Sequence, residues 1–257
     1  MTIGALDTDS AALGRRLELQ EKLSAFDLNE WIFSQLPPRP GQHWLDLGCG
    51  RGKQSIPLAK AGCLVTSVDL SAESLSALRQ SAENQDVGDR IRTVCSDLDS
   101  ISETLDGEFD RVIGSYSLYY AQDAAGLFGS IRSLLKPDGE LFFCGPSRTN
   151  NRALRELISG VTGKHDSGEE TAASRFMTDA ERICRRLFAH VEVATFTNDV
   201  TFPSADELLA YWRNHNLFSP DLEKPFAEAV AKAGFPFVNQ KTGIGIRCHR
   251  PAEDALS

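Results

Sequence analysis

The amino-acid sequence predicts an α/β fold: a three-layer, doubly wound sheet of seven strands that are mostly parallel, with a reversed last strand. Three observations support this prediction. Short apolar runs alternate with helical patterns between residues 43 and 145, a glycine-rich turn follows the first run, and two late strand-like runs flank a helical stretch. Alternation at this spacing implies right-handed crossovers between parallel strands.

Five strands are predicted between residues 43 and 144, each from an apolar run. They cover residues 43–47, 64–69, 91–95, 111–115 and 140–144, and the helices between them cover 53–61, 72–84 and 124–135. Gly62 suits the end of the first of these helices, and Ser71 suits the cap of the second. The residues Lys136-Pro-Asp-Gly139 are typical of a turn before the fifth strand.

The pattern becomes more polar after residue 145. We expect a helix near residues 152–159, followed by a loop, so that residues 146–177 form a substrate-side segment. Thr178 and Glu181 have the spacing of a capping box and predict a helix from there to Phe188.

The last third of the chain is predicted to complete the sheet with a hairpin at its edge. Its two strands cover 191–197 and 241–249, and between them a helical insertion at about 203–236 holds helices 205–215 and 219–233. Ser204 and Glu207 form the capping box of the first of these helices. Residues 1–40 are predicted to form an N-terminal helical cap with helices at 11–24 and 28–36, and residues 41–257 form the main domain.

Composition limits the classes of function. The chain has 27 basic and 36 acidic residues, a formal net charge of −9, which argues against nucleic acid as a partner. No apolar run is long enough to span a bilayer, and the N-terminus is polar, so we expect a cytoplasmic protein without a membrane partner. The six cysteines form no Cys-x-x-Cys pair, and we expect no metal site.

The turn after the first predicted strand carries the most specific signal. Glycines alternate at positions 48, 50 and 52, where the absent β-carbon lets the backbone bend sharply and approach a ligand. Asp69 ends the second strand, where a carboxylate can accept both hydroxyls of a ribose. Taken alone, this loop fits either a dinucleotide or another adenosine ligand.

The spacing of the loop separates these alternatives. A dinucleotide fingerprint requires glycine at position 53, which is Lys53, and a phosphate loop requires Ser or Thr at position 54, which is Gln54. Asp46, at the end of the first strand, would repel a pyrophosphate but suits a ligand that carries an ammonium group and a sulfonium.

Residues 45–52, Leu-Asp-Leu-Gly-Cys-Gly-Arg-Gly, resemble the first motif of class I S-adenosylmethionine-dependent methyltransferases. Four further segments resemble later motifs of that family in the same order: 68–71, 96–98, 109–120 and 134–143. The resemblance covers residues 41–146 and implies a Rossmann-like, seven-stranded domain. It also implies S-adenosylmethionine as the cofactor, with S-adenosylhomocysteine as the product.

The resemblance assigns cofactor contacts by position. Asp46, Gly48 and Gly50 are expected to meet the methionine part of the cofactor. The other expected contacts are Asp69 and Leu70 at the ribose and adenine, Asp97 and Leu98 at the adenine, and Ser115 and Tyr116 near the sulfonium. Asp99 lies close enough in sequence to compete with Asp97 for its role.

The methyl acceptor is predicted only as a class, a small molecule methylated on oxygen or nitrogen. The sulfonium activates the methyl group, so the enzyme mainly has to align the acceptor, and the family shares no catalytic residue. The candidate catalytic residues are Tyr120, His165 and His215, and the candidate substrate residues are Trp31, Tyr119, Tyr120, Asn150, Tyr211 and Trp212. Ordinary helix core is an equal alternative for the aromatic residues.

Three other functions stay open at this point. The chain could use the same sulfonium cofactor without transferring methyl, could methylate RNA or protein, or could be a non-catalytic scaffold subunit that binds the cofactor. The charge of −9 argues against RNA. The charged residues kept at the strand ends argue against a scaffold. A monomer or a homodimer is expected.

Overall fold

The structure, a computed structural model, describes residues 15–250 except 17, 21, 164–170 and 216. The strands are β1 (His43–Leu47), β2 (Leu64–Asp69), β3 (Ile91–Cys95), β4 (Phe109–Ser115), β5 (Leu135–Pro146), β6 (His190–Phe202) and β7 (Phe237–His249). The helices are α1 (Leu28–Gln35), α2 (Ser55–Lys60), α3 (Ala72–Glu83), α4 (Ile101–Thr104), α5 (Ala124–Leu134), α6 (Arg152–Thr162), α7 (Ala172–Leu187), α8 (Ala205–Arg213) and α9 (Glu223–Lys232).

The sheet confirms the predicted fold class. Its strand order is β3-β2-β1-β4-β5-β7-β6, and the neighbours from β3 to β5 are parallel. The last strand, β7, is the reversed one and lies between β5 and β6, as the predicted edge hairpin requires. The order reverses direction between β1 and β4, so the carboxyl ends of these two strands flank the point where α/β sheets bind ligands.

The predicted turn at Lys136-Pro-Asp-Gly139 lies within a continuous strand, which begins at Leu135 rather than at residue 140. The pairing with β4 is nevertheless interrupted there. Phe109 pairs with Leu135, whereas Arg111 pairs with Glu140, so the residues between form an irregular excursion. The turn residues therefore mark an interruption of the pairing with β4, and the predicted start of the strand at residue 140 is wrong.

Two compact units divide the chain. The sheet unit comprises Leu28–Gly145, Ala172–Thr195 and Ile244–Ser257, and the insertion unit comprises Met1–Asp27, Pro146–Thr171 and Phe196–Gly243. This division differs from the boundary expected at residue 40, because α1 belongs to the same unit as β1 to β5.

The sheet unit buries apolar side chains on both faces of its strands. Alternating residues of a strand point to opposite faces. Trp44 and Phe142 join one cluster with residues of α1, α2 and α3, whereas Leu45 and Phe143 join another with residues of α5 and α7. The sheet and the helical layers on its two faces together make the three layers that the sequence predicts.

The insertion unit has its own core, built from α6, α8, α9 and parts of the two long strands. Its buried residues are Leu154, Val200, Phe202, Leu208, Tyr211, Trp212, Phe226 and Val230. The prediction that Ser204 caps a helix is confirmed, because its hydroxyl accepts from the backbone N–H of Glu207, and the same hydroxyl donates to the Glu207 carboxylate. Helix α8 follows it directly.

One predicted helix boundary is wrong, and parts of the predicted loop are helical, whereas residues 164–170 of that loop lie outside the described residues. Helix α7 begins at Ala172, so Thr178 lies inside it, and its hydroxyl donates to the carbonyl of Ser174 at 3.3 Å rather than capping a helix. Helix α6 extends to Thr162, so described residues of the segment 146–177 are largely helical. The buried face of α7, which includes Met177 and Cys184, extends the helical pattern beyond the capping-box signal.

In the part of the chain that the structure describes, none of the helices has the length and apolar character needed to cross a bilayer.

Candidate functional site

The glycine loop follows β1 and turns back over the end of β2. All three of its glycines have positive φ, +70° at Gly48, +52° at Gly50 and +85° at Gly52, a backbone region that L side chains rarely adopt. The backbone N–H groups of Gly48 and Cys49 both donate to the carbonyl of Val68, at 2.8 and 2.9 Å. The loop is therefore tied to β2, its neighbour in the sheet.

Two of these glycines are needed for different reasons. A Cβ built on Gly48 would lie 2.3 Å from the Cβ of Ser117, closer than any real contact. A Cβ built on Gly50 would meet no atom within 4 Å. Gly48 is thus required by packing, whereas Gly50 presents bare backbone to open space, which is the arrangement that a closely bound ligand needs.

The carboxylate of Asp69 completes the loop. Its Oδ2 accepts the backbone N–H of Gly50 at 2.8 Å, and its Oδ1 accepts that of Ser71 at 2.9 Å. The next residue, Leu70, leaves 72% of its surface exposed. A fixed carboxylate and an exposed apolar side chain therefore adjoin the loop at the end of β2.

Asp46, the last residue but one of β1, lies almost wholly buried, at 1% exposure. Its Oδ2 accepts the Ser55 hydroxyl at 2.5 Å. Burial raises the pKa of Asp46 to about 7, the negative charge of Asp69 adds to this rise, and the hydrogen bonds from Ser55 oppose it. The carboxylate is already satisfied by protein groups, so its effect on a ligand would be electrostatic and would depend on pH.

The end of β3 separates the two competing acids. Asp97 is exposed, and its Oδ1 accepts the backbone N–H of Ser100 at 2.8 Å. Asp99 instead accepts the backbone N–H groups of Gln122 and Asp123, at distances from 2.9 to 3.1 Å, and so joins the loops after β3 and β4. Asp99 has a structural role, and Asp97 stays the candidate for a ligand contact.

The neighbour of Asp97, Leu98, is partly buried and packs against the apolar cluster of α5 and α7. This packing leaves only part of its side chain for the adenine contact expected from the sequence.

These two acids give a paired prediction. Asp97→Ala is expected to weaken S-adenosylhomocysteine binding about tenfold, because one hydrogen bond to a charged group would be lost. Asp99→Ala should instead lower the free energy of unfolding by about 1–2 kcal/mol, because two backbone donors lose their acceptor. Calorimetric titration and urea denaturation measure the two effects. An affinity loss confined to Asp99→Ala would reverse the assignment.

The end of β4 is held in an uncommon backbone conformation. Tyr116 has φ +56°, which is rare for an aromatic residue, and its N–H donates to the carbonyl of Cys144 at 2.9 Å. The thiol of Cys144 lies 3.7 Å from the hydroxyl of Ser115. Such strained positions cluster at functional sites, and this one occurs where the sequence predicts the sulfonium.

Ser117 is a residue that sequence reasoning missed. Its hydroxyl donates to the carbonyl of Leu47 at 2.5 Å and is buried against Gly48. This contact joins the segment after β4 to the end of β1, where the glycine loop begins, across 70 positions of sequence. No local pattern in the sequence marks it.

Asn29 of α1 is a second missed residue. Its amide donates to the carbonyl of Lys53 and its Oδ1 accepts from the amide of Gln54, both at 2.8 Å. Helix α1 is thereby fastened to the segment that follows the glycine loop. The only sequence signal is an isolated asparagine at the start of a helix.

The candidate substrate residues of the sheet unit have different surroundings. The ring of Trp31 packs edge-on against Phe142 at 5.7 Å, as part of the core. Tyr119 and Tyr120 lie in a helical turn after β4 with ring centroids 4.8 Å apart, and Tyr120 is 38% exposed. Of the three, Tyr120 best keeps the access that an acceptor contact requires.

The expectation that Tyr211 and Trp212 line a substrate site is wrong for this structure. Both are completely buried in the core of the insertion unit, where Trp212 stacks on Phe226 with centroids 4.0 Å apart. His215, 4% exposed, is not available as a base. Its Nδ1 accepts the N–H of Leu217 at 3.1 Å, and burial lowers its pKa well below the ordinary value. Tyr211 and Trp212 therefore belong to ordinary helix core, which is the alternative that the sequence leaves open for the aromatic residues.

The remaining candidates contribute little to a site. Asn150 belongs to the insertion unit, where its Oδ1 accepts the backbone N–H of Thr242 at 3.2 Å. His165 lies outside the described residues. Within the described ranges, His, Cys, Asp and Glu side chains do not gather into a group of three that could hold a metal ion.

The central part of the chain is similar to known proteins. A family model described as a methyltransferase domain matches residues 45–143. The chain is 32% identical over 123 residues to the ubiquinone biosynthesis O-methyltransferase of Coxiella burnetii, a match covering 48% of this chain and 50% of that protein. It is 35% identical over 125 residues to the enzyme of the same name from Actinobacillus pleuropneumoniae, covering 48% and 52%. The match thus spans about half the length of these relatives.

Solved structures share the fold over most of the chain. The YcgJ protein of Bacillus subtilis superposes with a TM-score of 0.63 at 14% identity, covering 87% of this chain and 97% of that one. The geranyl diphosphate C-methyltransferase of Streptomyces coelicolor superposes with a TM-score of 0.51 at 18% identity, covering 86% and 74%. At such low identity the likeness establishes the fold.

Proposed function

We propose that this chain, whose residues 45–143 match a methyltransferase-domain family model, transfers the methyl group of S-adenosylmethionine to a hydroxyl group of a small molecule. The observation that carries the proposal is the arrangement of residues at the carboxyl ends of β1 and β2. There Gly50 presents open backbone, the carboxylate of Asp69 lies 2.8 Å from its N–H, and Leu70 exposes an apolar side chain.

The residues present fit this cofactor. Asp69 would accept the ribose hydroxyls, Leu70 would cover one face of the adenine, and Asp97 would accept from the adenine amino group. The open space beyond Gly50 would take the amino-acid part, with the negative charge of Asp46 attracting its ammonium group. Ser115 and Tyr116 would flank the sulfonium.

The protein's part in the reaction is chiefly alignment. When bound, S-adenosylmethionine supplies a methyl group already activated by its positive sulfur, and the acceptor oxygen must approach in line with the bond that breaks. An acceptor hydroxyl must also lose its proton. Tyr120, exposed in the turn after β4, is our candidate to position that hydroxyl.

A hydroxyl acceptor is supported by the names of the relatives, which are O-methyltransferases, and by the net charge of −9, which opposes an RNA acceptor. Methylation of nitrogen, use of the cofactor without methyl transfer, and a scaffold role are the alternatives that experiment has to separate. We also propose a cytoplasmic protein that is a monomer or a homodimer.

Two measurements test the proposal. S-adenosylhomocysteine is expected to bind in a calorimetric titration and, at a hundredfold excess over its Kd, to stabilise the fold by about 2.7 kcal/mol. Incubation with methyl-labelled cofactor and a panel of small phenols and carboxylic acids should then transfer the label. Absence of binding by either form of the cofactor would reject the function, and binding with the label retained on sulfur would favour non-methylating chemistry.

A further inference from the structure

We propose that Ser55 and Ser67 form a relay of two buried hydroxyl groups that favours the ionised form of Asp46, and that this relay sets the pH range over which the glycine loop holds a ligand with an ammonium group. The inference rests on the proposed function, because that ammonium group is the one carried by S-adenosylmethionine. Both serines are positioning residues, since they act on the ligand through Asp46.

Three elements bring the relay together. Asp46 and Ser67 are directly paired in the register of β1 and β2, so their side chains share one face of the sheet. Ser55 is the first residue of α2. Its hydroxyl oxygen lies 2.8 Å from that of Ser67 and 2.5 Å from Oδ2 of Asp46. Ser55 and Ser67 are 0% exposed and Asp46 is 1% exposed, so bulk water does not compete for these hydrogen bonds.

The order of donors favours the ionised form. A serine hydroxyl has a single hydrogen to donate, whereas an ionised carboxylate only accepts. Ser67 donates to Ser55 and Ser55 donates to Asp46, and the backbone N–H of Ser55 adds a second hydrogen bond to the same carboxylate. If Asp46 were protonated at Oδ2, its own hydrogen and that of Ser55 would compete for one contact.

The surroundings of Asp46 act against ionisation, which is why the relay matters. The ionisable groups that act on it are Asp69 at the end of β2 and the Cys49 thiol of the glycine loop, and neither is a cation. On its other side, β4 contributes the apolar side chain of Ile113, in register with Asp46. Burial and the charge of Asp69 raise the pKa of Asp46, and the hydrogen bonds from Ser55 lower it.

Protonation of Asp46 has opposite effects on the ligand-free fold and on the complex. Burial raises the pKa of Asp46 from 3.8 to about 7, so the folded chain binds the proton more tightly than the unfolded chain. The resulting stability is fully present at acid pH and is lost as pH rises through about 7. The attraction of Asp46 for an ammonium group instead increases as pH rises through about 7, because only the ionised carboxylate carries a negative charge.

The experiment compares two ligands at several pH values. Calorimetry measures the affinity for S-adenosylhomocysteine and for 5′-methylthioadenosine, which keeps the nucleoside and the sulfur but lacks the amino-acid part. The proteins are the full chain and its Ser55→Ala, Ser67→Ala and Ser133→Ala variants. Ser133 is the matched control, because its exposed hydroxyl donates only to a carbonyl of its own helix, that of Ser130.

We expect the unmodified chain to bind S-adenosylhomocysteine about fivefold more weakly at about pH 6 than at about pH 7.5. In Ser55→Ala the midpoint of this change should move upward by about one pH unit, because the carboxylate loses a charge-assisted hydrogen bond. Ser67→Ala should move it by less in the same direction, and Ser133→Ala should leave it in place. Affinity for 5′-methylthioadenosine should change little with pH in all four proteins.

Two results would overturn the relay: equal midpoints in the unmodified chain and both relay variants, or equal losses of affinity for the two ligands, which would indicate disturbed packing. If Ser55→Ala does not fold, Ser67→Ala decides the matter, since it leaves the hydrogen bond from Ser55 to Asp46 intact. Failure of the unmodified chain to bind either ligand at any pH would instead reject the proposed function.

Discussion

Replacing Gly48 with alanine is expected to destabilise the sheet unit by about 3 kcal/mol and to abolish cofactor binding. The added Cβ would lie 2.3 Å from the Cβ of Ser117, and the backbone has φ +70°, so both overpacking and left-handed strain contribute. Ser117 cannot move away easily, because its hydroxyl donates to the carbonyl of Leu47 at 2.5 Å. Urea denaturation and calorimetric titration measure the two losses.

Gly50→Ala separates folding from binding. It carries left-handed strain of about 1–2 kcal/mol, but its Cβ meets no protein atom within 4 Å, so the chain should fold. Affinity for S-adenosylhomocysteine should nevertheless fall at least tenfold, because the methyl group enters the space proposed for the ligand. Gly41→Ala is the matched control. It has φ +83° and open space but lies before β1, so it should lose stability without losing affinity. Equal affinities in the two variants would contradict the proposed position of the ligand.

Asp69→Ala is expected to weaken S-adenosylhomocysteine binding about a hundredfold, which corresponds to about 2.7 kcal/mol. Two effects combine in this substitution. The ribose would lose its acceptor, and the N–H groups of Gly50 and Ser71, at 2.8 and 2.9 Å from the carboxylate, would lose theirs, so the loop would be less ordered before binding. Calorimetric titration measures the affinity, and a thermal melt measures the stability.

Two controls divide the effects of Asp69. Asp69→Asn keeps one oxygen that can accept from Gly50 but removes the charge, so its affinity should lie between those of Asp69→Ala and the unmodified chain. Asp89→Ala removes an exposed acid from the turn before β3 and should leave affinity unchanged. Affinity in Asp69→Ala within about twofold of the unmodified chain would remove Asp69 from the proposed site.

The alternation of strands and helices could be predicted because it is local. Strand–helix–strand units have short-range periodicity, and the first three strands were predicted with the bounds that the structure has. The pairing of Asp69 with Gly50 follows from the same unit, since β1 and β2 are adjacent parallel strands whose carboxyl ends meet. The predicted element boundaries are wrong where turn or capping residues occur inside longer elements. This happens at Lys136-Pro-Asp-Gly139, inside β5, and at Thr178, inside α7.

Amino-acid sequence alone therefore determined the fold class, the glycine loop and the acids at the strand ends, because each depends on spacing within one or two neighbouring elements. Only the tertiary structure decided which polar side chains support that loop and which aromatic ones are buried. Ser117 and Leu47 are 70 positions apart, and Ser55 reaches Asp46 because α2 packs back onto β1 and β2. Tyr211 and Trp212 are buried because a separate unit forms its own core around them. Contacts of this kind produce no periodic pattern in the sequence, because they depend on how segments that are distant in sequence pack together.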